Sequence, residues 1–387
     1  MSISWGDLSV RVYAAKAWIS LAPRFAEERP EIVDQIEAIL QDEEPAVRLQ
    51  AAQNLQVICK AAPERMWSMG ERIAASEVDE RVLASYLARA LKRFRHAESQ
   101  RCERILISVK DRLSAFSDKD GRSLLRECLG GWAAQLYARQ GRPMARGWLE
   151  EWAADPQRFR DALNAYTSSL RNEFFARYAA DAEQGDLDMC DRAQDGLKVI
   201  LVPALAISAK EHATLTSVNT LEESKSAGER YIAAELVIRH AMNQLYFGAG
   251  VRTGGKENEL GLSNPKTKSR FLADYAEILG LLQKSREPGT LHHLIELYEY
   301  LIPGDPVAVF GAIHSILIGV GAKEGYHYES LGNTTVVKIV KLYIADHRGI
   351  FDDPMRRAML VEILQLFSEA GWPEALRLLY DLPDLFR

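Results

Sequence analysis

Two stretches near the start of this chain align with each other at a shift of 37 residues, and that internal repeat restricts the fold more than any single residue does. Asp7-Leu-Ser-Val10-Arg11-Val-Tyr-Ala14-Ala15-Lys-Ala-Trp18 matches Glu44-Pro-Ala-Val47-Arg48-Leu-Gln-Ala51-Ala52-Gln-Asn-Leu55. A weaker third copy, Glu80-Arg81-Val-Leu-Ala84-Ser85-Tyr-Leu-Ala88, follows at a shift of 33. A fixed period of this size marks supersecondary units that bury their apolar faces only by stacking on neighbours. Within each copy the Val, the Ala pair and the Leu or Trp recur three and four residues apart, so they share one helix face. The alanines are small enough to let a preceding helix approach. The Arg stands beside that face, in reach of carbonyls or acids of the adjacent repeat.

The same spacing continues outside the repeat. Ile32, Ile36, Ile39 and Leu40 mark one stripe, Val47, Ala51, Leu55 and Ile58 the next, and Val82, Tyr86, Leu87, Ala90 and Leu91 another. Convincing period-2 alternation is absent, and Pro30, Pro45, Pro63, Gly121, Gly141, Pro143 and Pro156 punctuate the stripes. This predicts an all-α chain of short helices joined by shorter loops, a pattern that favours antiparallel neighbours. The residues resemble the HEAT family of helical repeats, in which a first helix such as Glu31 to Leu40 ends near an Asp, here Asp42, and a Val-Arg-x-x-Ala-Ala helix follows. The resemblance spans roughly residues 5 to 95 and implies an α-solenoid used as a scaffold or binding surface. Asp305-Pro306-Val307 and Asp353-Pro354-Met355-Arg356-Arg357-Ala358 repeat the Asp-Pro start of such second helices.

Three regions are expected: HEAT-like repeats over 1–155, longer helices over 156–268, and short helical pairs again over 269–387. The middle helices are predicted at Arg160 to Ala180, Asp186 to Ala213 and Asn219 to Phe247, ahead of a polar, Gly-rich stretch from Gly248 to Lys268. Gly325-Tyr-His-Tyr-Glu-Ser-Leu331 and Gly371-Trp-Pro-Glu-Ala375 look like the C-terminal regions of large bacterial helical-repeat proteins. That likeness implies a C-terminal module of a larger bacterial protein or complex.

With 47% apolar and 26% charged residues, the chain is neither disordered nor a disulfide scaffold. A net charge of −6 argues against coating nucleic acid or an anionic membrane with the whole surface. The longest apolar run, Val199 to Ser208, is broken by Pro203 and falls short of the ~20 residues of a membrane helix. Met1-Ser-Ile-Ser-Trp-Gly-Asp lacks a secretory start, so a cytoplasmic protein is expected. Cys59, Cys102, Cys128 and Cys190 are far apart and read as small buried hydrophobes. Gly250-Val-Arg-Thr-Gly-Gly255-Lys256 fits seven positions of a phosphate loop, but Glu257 replaces the magnesium-binding hydroxyl and no strand precedes it. His292, His293 and Glu296 lie within one helical turn, yet adjacent histidines point apart. No nucleophile, base and orienting partner assemble, so neither catalysis nor a metal or cofactor is expected.

Two kinds of surface remain. Tyr326-His327-Tyr328-Glu329 gathers aromatic and ionisable groups at a turn, suited to a protein partner or to wedging one repeat on the next. Trp18 lies on a helix whose stripe Val10, Ala14, Trp18 and Leu21 opens the repeat array without a first-helix mate. Either a protein partner, an upstream domain or a second copy covers this stripe, or Trp5 and Trp18 fold onto Ile32 to Leu40. Charge is unevenly spread: residues 1–88 carry 9 basic and 14 acidic side chains, residues 89–146 carry 14 and 6. Arg89, Lys92, Arg93, Arg95, Arg101, Arg104, Lys110 and Arg112, followed by Arg139, Arg142 and Arg146, could stack into a stripe that meets phosphates. The leading expectation is a non-catalytic scaffold for protein–protein interaction. The alternative is a nucleic-acid-binding repeat protein using Arg89 to Arg146.

Overall fold

A computed structural model describes residues 10–116, 123–217, 220–251 and 262–385. The chain is all-α: eighteen α-helices and no strand occur among the described residues. It divides into two compact units, residues 1–136 and 137–387.

The first unit holds α1 (Val10–Phe25), α2 (Glu31–Ile39), α3 (Pro45–Ala52), α4 (Pro63–Ser76), α5 (Glu80–Ser85), α6 (Ser99–Asp111) and α7 (Leu124–Ala133). Pro45 and Pro63 open their helices, where a missing N–H leaves no bond unmade. α1 packs on α3, α3 on α5 and α5 on α7, while α4 packs on α6 and α2 touches both α1 and α3. The stripes read from the sequence point inward. Val47, Ala51, Leu55 and Ile58 are at most 2% exposed, and Val82, Tyr86, Leu87, Ala90 and Leu91 are buried with them. After α5 the helix widens into a π-turn, Tyr86–Ala90, and then tightens into a 3-10 turn, Leu91–Phe94. Such local changes of pitch shift the register of every side chain that follows.

The repeated arginine holds consecutive turns together. Arg11 pairs with Asp42 at 2.5 Å. Arg48, one repeat later, donates to the Asp42 and Glu43 carbonyls at 2.9 and 3.0 Å and grips Glu77 with two bonds of 2.7 and 2.9 Å. Both partners of the Arg48–Glu77 pair are largely buried, and Glu77 also accepts from the Val78 and Asp79 amides, which offsets its desolvation.

The second unit holds α8 (Pro143–Ala153), α9 (Pro156–Ser168), α10 (Gln184–Ser217), α11 (Leu221–Gly248), α12 (Pro265–Asp274), α13 (Ala276–Leu282), α14 (Pro288–Leu301), α15 (Pro306–Ile316), α16 (Ser330–Asp346), α17 (Pro354–Glu369) and α18 (Pro373–Leu385). Two of the three expected long helices form, as α10 and α11, and they pack along each other. The third, expected from Arg160 to Ala180, ends at Ser168. There Thr167 and Ser168 turn their hydroxyls onto the Leu163 and Asn164 carbonyls, competing with the helical bonds. α10 is long and apolar enough, by length and composition, to cross a membrane; its inner face, from Cys190 to Glu211, is buried within the unit. Tyr166, fully buried, lies where a Cβ on Gly196 of α10 would stand 1.9 Å from its hydroxyl, so that close crossing requires glycine.

Candidate interaction surfaces

The first surface is the outward face of α1. Val12, Ala15, Ile19 and Ala22 point into the unit, leaving Val10, Tyr13, Ala14, Leu21 and Phe25 exposed and Trp18 half-buried. The internal repeat shows what this face lacks. Val47 is 2% exposed because Val12 and Ala15 of α1 and Ile39 of α2 close over it; Val10, its counterpart, is 81% exposed. Ala14 and Leu21 are likewise open where Ala51 and Ile58 are sealed. Trp5, which in the alternative reading folds with Trp18 onto Ile32 to Leu40, lies outside the described residues.

The second surface is a cleft of about 380 Å³ between the end of α3 and the turns after α5. One wall is Gln53, Asn54 and Gln56; the other is Ala88, Arg89, Lys92, Arg93 and Arg95. A chain of hydrogen bonds sets the first wall: Gln50 donates to the Ala46 carbonyl at 3.1 Å, Gln53 to Gln50 at 3.4 Å, and Arg89 to the Gln53 amide oxygen at 2.9 Å. Lys92 and Arg93 are exposed and meet no carboxylate among the described residues.

Four of the eleven basic residues in the expected stripe therefore converge here. The others are placed differently. Arg101 pairs with Glu64 at 3.0 Å and lies 5.4 Å from the centre of the Trp67 ring. Arg104 is exposed and Lys110 half-buried, both on α6. Arg112 donates to the Ala74 and Glu77 carbonyls, closing the end of α4. Arg139, Arg142 and Arg146 belong to the second unit: Arg139 pairs with Glu173, Arg146 with Asp195 and Glu150, and Arg142 precedes α8. The polar wall of Gln53, Asn54 and Gln56 was missed, since neutral amides leave no trace in a charge count.

The aromatic segment splits. Gly325, at φ +79, turns the chain so that Tyr326 and His327 go inward while Tyr328 and Glu329 face out. The Tyr326 hydroxyl meets His292 Nδ1 at 3.1 Å, and the His327 carbonyl accepts from Trp372 Nε1 at 2.7 Å. Burial lowers the His327 pKa, favouring the neutral ring. His292 also lies 3.7 Å from Glu296, and His293 bonds Asn243 at 2.7 Å. No three His, Cys, Asp or Glu side chains gather in metal-ligand geometry among the described residues. Burial, followed by the nearby Glu98 charge, pushes the Cys102 thiol up to about 12, which disfavours the nucleophilic thiolate. Of the Gly250 to Lys256 loop only Gly250 and Val251 are described; the remainder lies outside the described residues. Comparison with protein-family models, with curated proteins and with solved structures finds no match to this chain.

Proposed function

We propose that this chain is a non-catalytic helical-repeat scaffold, with a HEAT-like α-solenoid in its first unit, that takes a helix of a protein partner onto the outward face of α1. One observation carries the reading: Val10, Ala14 and Leu21 are open at the positions where Val47, Ala51 and Ile58 are buried. The successive packing of α1, α3, α5 and α7, and the arginine that ties one turn to the next, support the solenoid part. The occupant's chemistry follows from the repeat. What covers Val47 includes the Ile39 edge of α2, so the partner presents an amphipathic helix with Ile or Leu at a three- and four-residue spacing.

Burying what is still open of Val10, Tyr13, Leu21 and Phe25 supplies at most about 1.5–3 kcal/mol each, and less for Leu21 and Phe25, which are only 40% and 44% exposed. Association itself costs about 4–15 kcal/mol. A peptide that must also fold on binding would fall short, so the probe has to be helical beforehand. A hydrocarbon-stapled peptide of sequence Glu31 to Leu40 is expected to bind and to shift the Trp18 fluorescence. Val10→Glu with Leu21→Glu, at exposed positions that leave the fold intact by circular dichroism, is expected to abolish that binding. Peptide binding that ignores the double variant, or none at all, would overturn the reading. A concentration-dependent dimer broken by the same variant would replace the partner with a second copy.

A further inference from the structure

We infer that the cleft between Gln53 and Lys92 binds the phosphodiester backbone of a nucleic acid, without reading its sequence. Several arginines of the first unit are matched to carboxylates. Arg11 meets Asp42 and Arg48 meets Glu77; Arg65 meets Asp34 and Glu37, Arg72 meets Glu37, and Arg101 meets Glu64. Arg65, then Arg72, holds the Glu37 carboxyl below its usual range, a mark of how closely these pairs are matched. At the cleft, Lys92 and Arg93 meet no carboxylate among the described residues, and Arg89 is met by a neutral amide. Arg89, Lys92, Arg93 and Arg95 line one cleft, and like charges gathered in this way repel. That repulsion is relieved when an external anion enters.

The geometry also says how the anion is met. Arg89 is held by the Gln50 and Gln53 chain, and Arg95 by the Lys92 carbonyl at 3.3 Å and His96 at 3.0 Å, so two guanidiniums are fixed before binding. Lys92 and Arg93 stand exposed on the outer wall, in position to follow successive phosphates. Gln56 lines the cleft, but its amide oxygen is closed to solvent and meets no donor, so it takes no part in ligand contact.

The lining decides the class of ligand. Among the described residues that line it, Ala88 is the one apolar side chain and none is an aromatic ring. Bases have nothing to stack on, and the side chains of a docking peptide have no apolar socket. Recognition therefore stops at the charged backbone. The whole chain carries −6, so binding depends on this local field and is steeply salt-sensitive.

The test uses the full chain and fluorescence anisotropy with labelled 20-mers of duplex DNA, single-stranded DNA and single-stranded RNA. Neutralising about three phosphates gives a log-log salt slope near −2.7, an affinity loss of about 40-fold between 50 and 200 mM salt. Lys92→Glu with Arg93→Glu is expected to abolish binding, and Arg104→Glu, at an exposed position outside the cleft lining, to leave it within about twofold. Gln53→Ala, which frees Arg89, is expected to weaken binding several-fold while the slope stays. Circular dichroism melts confirm that each variant is folded. Absence of binding at 50 mM salt overturns the inference, as does binding that the double reversal leaves intact. Polyglutamate binding as tightly as the nucleic acids, and lost in the same double variant, would assign the cleft to an acidic polypeptide instead.

Discussion

Glu235 shows how the second unit treats a charge that cannot reach water. It is 3% exposed, and its carboxylate accepts from Ser208 Oγ at 2.5 Å, Ser285 Oγ at 2.7 Å and the Arg286 amide at 3.2 Å. Three donors from two other segments converge on it, so one side chain of α11 fastens α10 and the loop that enters α14. A buried carboxylate left without bonds would be prohibitive; here the hydrogen bonds replace water. Removing the acceptor strands the donors instead. Glu235→Ala is expected to destabilise the protein by about 2–4 kcal/mol, and Glu235→Gln by less, because the amide keeps one acceptor oxygen. Urea denaturation distinguishes them: equal losses for both variants would mean that the carboxylate's charge, not the number of acceptor atoms, sets the cost. Nothing in the sequence around Glu235 announces this role, since its three donors come from positions 208, 285 and 286, and only the folded chain brings them together.

Helices were the most legible level, because each carries its own signals. Asp305-Pro306 and Asp353-Pro354 start α15 and α17 as read, with the Asp side chains accepting from the Ala308 and Met355 amides. The same device starts α9, α12 and α14 through Asp155-Pro156, Asn264-Pro265 and Glu287-Pro288. In the sequence Pro156 read only as a breaker, although an acceptor before a proline is a start signal. Where polar residues bond backward, as at Thr167 and Ser168, periodicity alone overran the helix end. The cleft was half legible: Arg89, Lys92, Arg93 and Arg95 stood out by charge, but their meeting with Gln53 depends on a contact spanning 36 residues and on the π-turn between them. The cap reading carries its own check. Asp305→Ala is expected to cost about 1 kcal/mol and Asp305→Asn far less, since asparagine caps nearly as well. Unequal urea midpoints for the two, at unchanged slope, would confirm it; equal losses would assign the effect to charge.

At the scale of the molecule, each unit closes its own core. Both cores are mostly aliphatic, the first with the buried Arg48–Glu77 pair and the second with more fully buried rings, such as Trp152, Tyr166, Phe174 and Tyr275. Two cores that close separately have no reason to lose order at one temperature, so two-state unfolding is not expected of the whole chain. Gly196 offers a way to see this, since an added methyl meets the hydroxyl end of Tyr166, a ring that is fully buried and has no room to withdraw. Overpacking of this kind costs about 1–3 kcal/mol. For a unit of this size that is roughly 2–10 °C in Tm. Calorimetry of Gly196→Ala is therefore expected to lower one transition by that amount and leave the other in place, whereas Arg48→Ala, by stranding Glu77, is expected to move only the transition that Gly196→Ala spares. A single transition displaced by either substitution would mean that the two units unfold as one cooperative body, and the separation of their cores would then carry no thermodynamic weight.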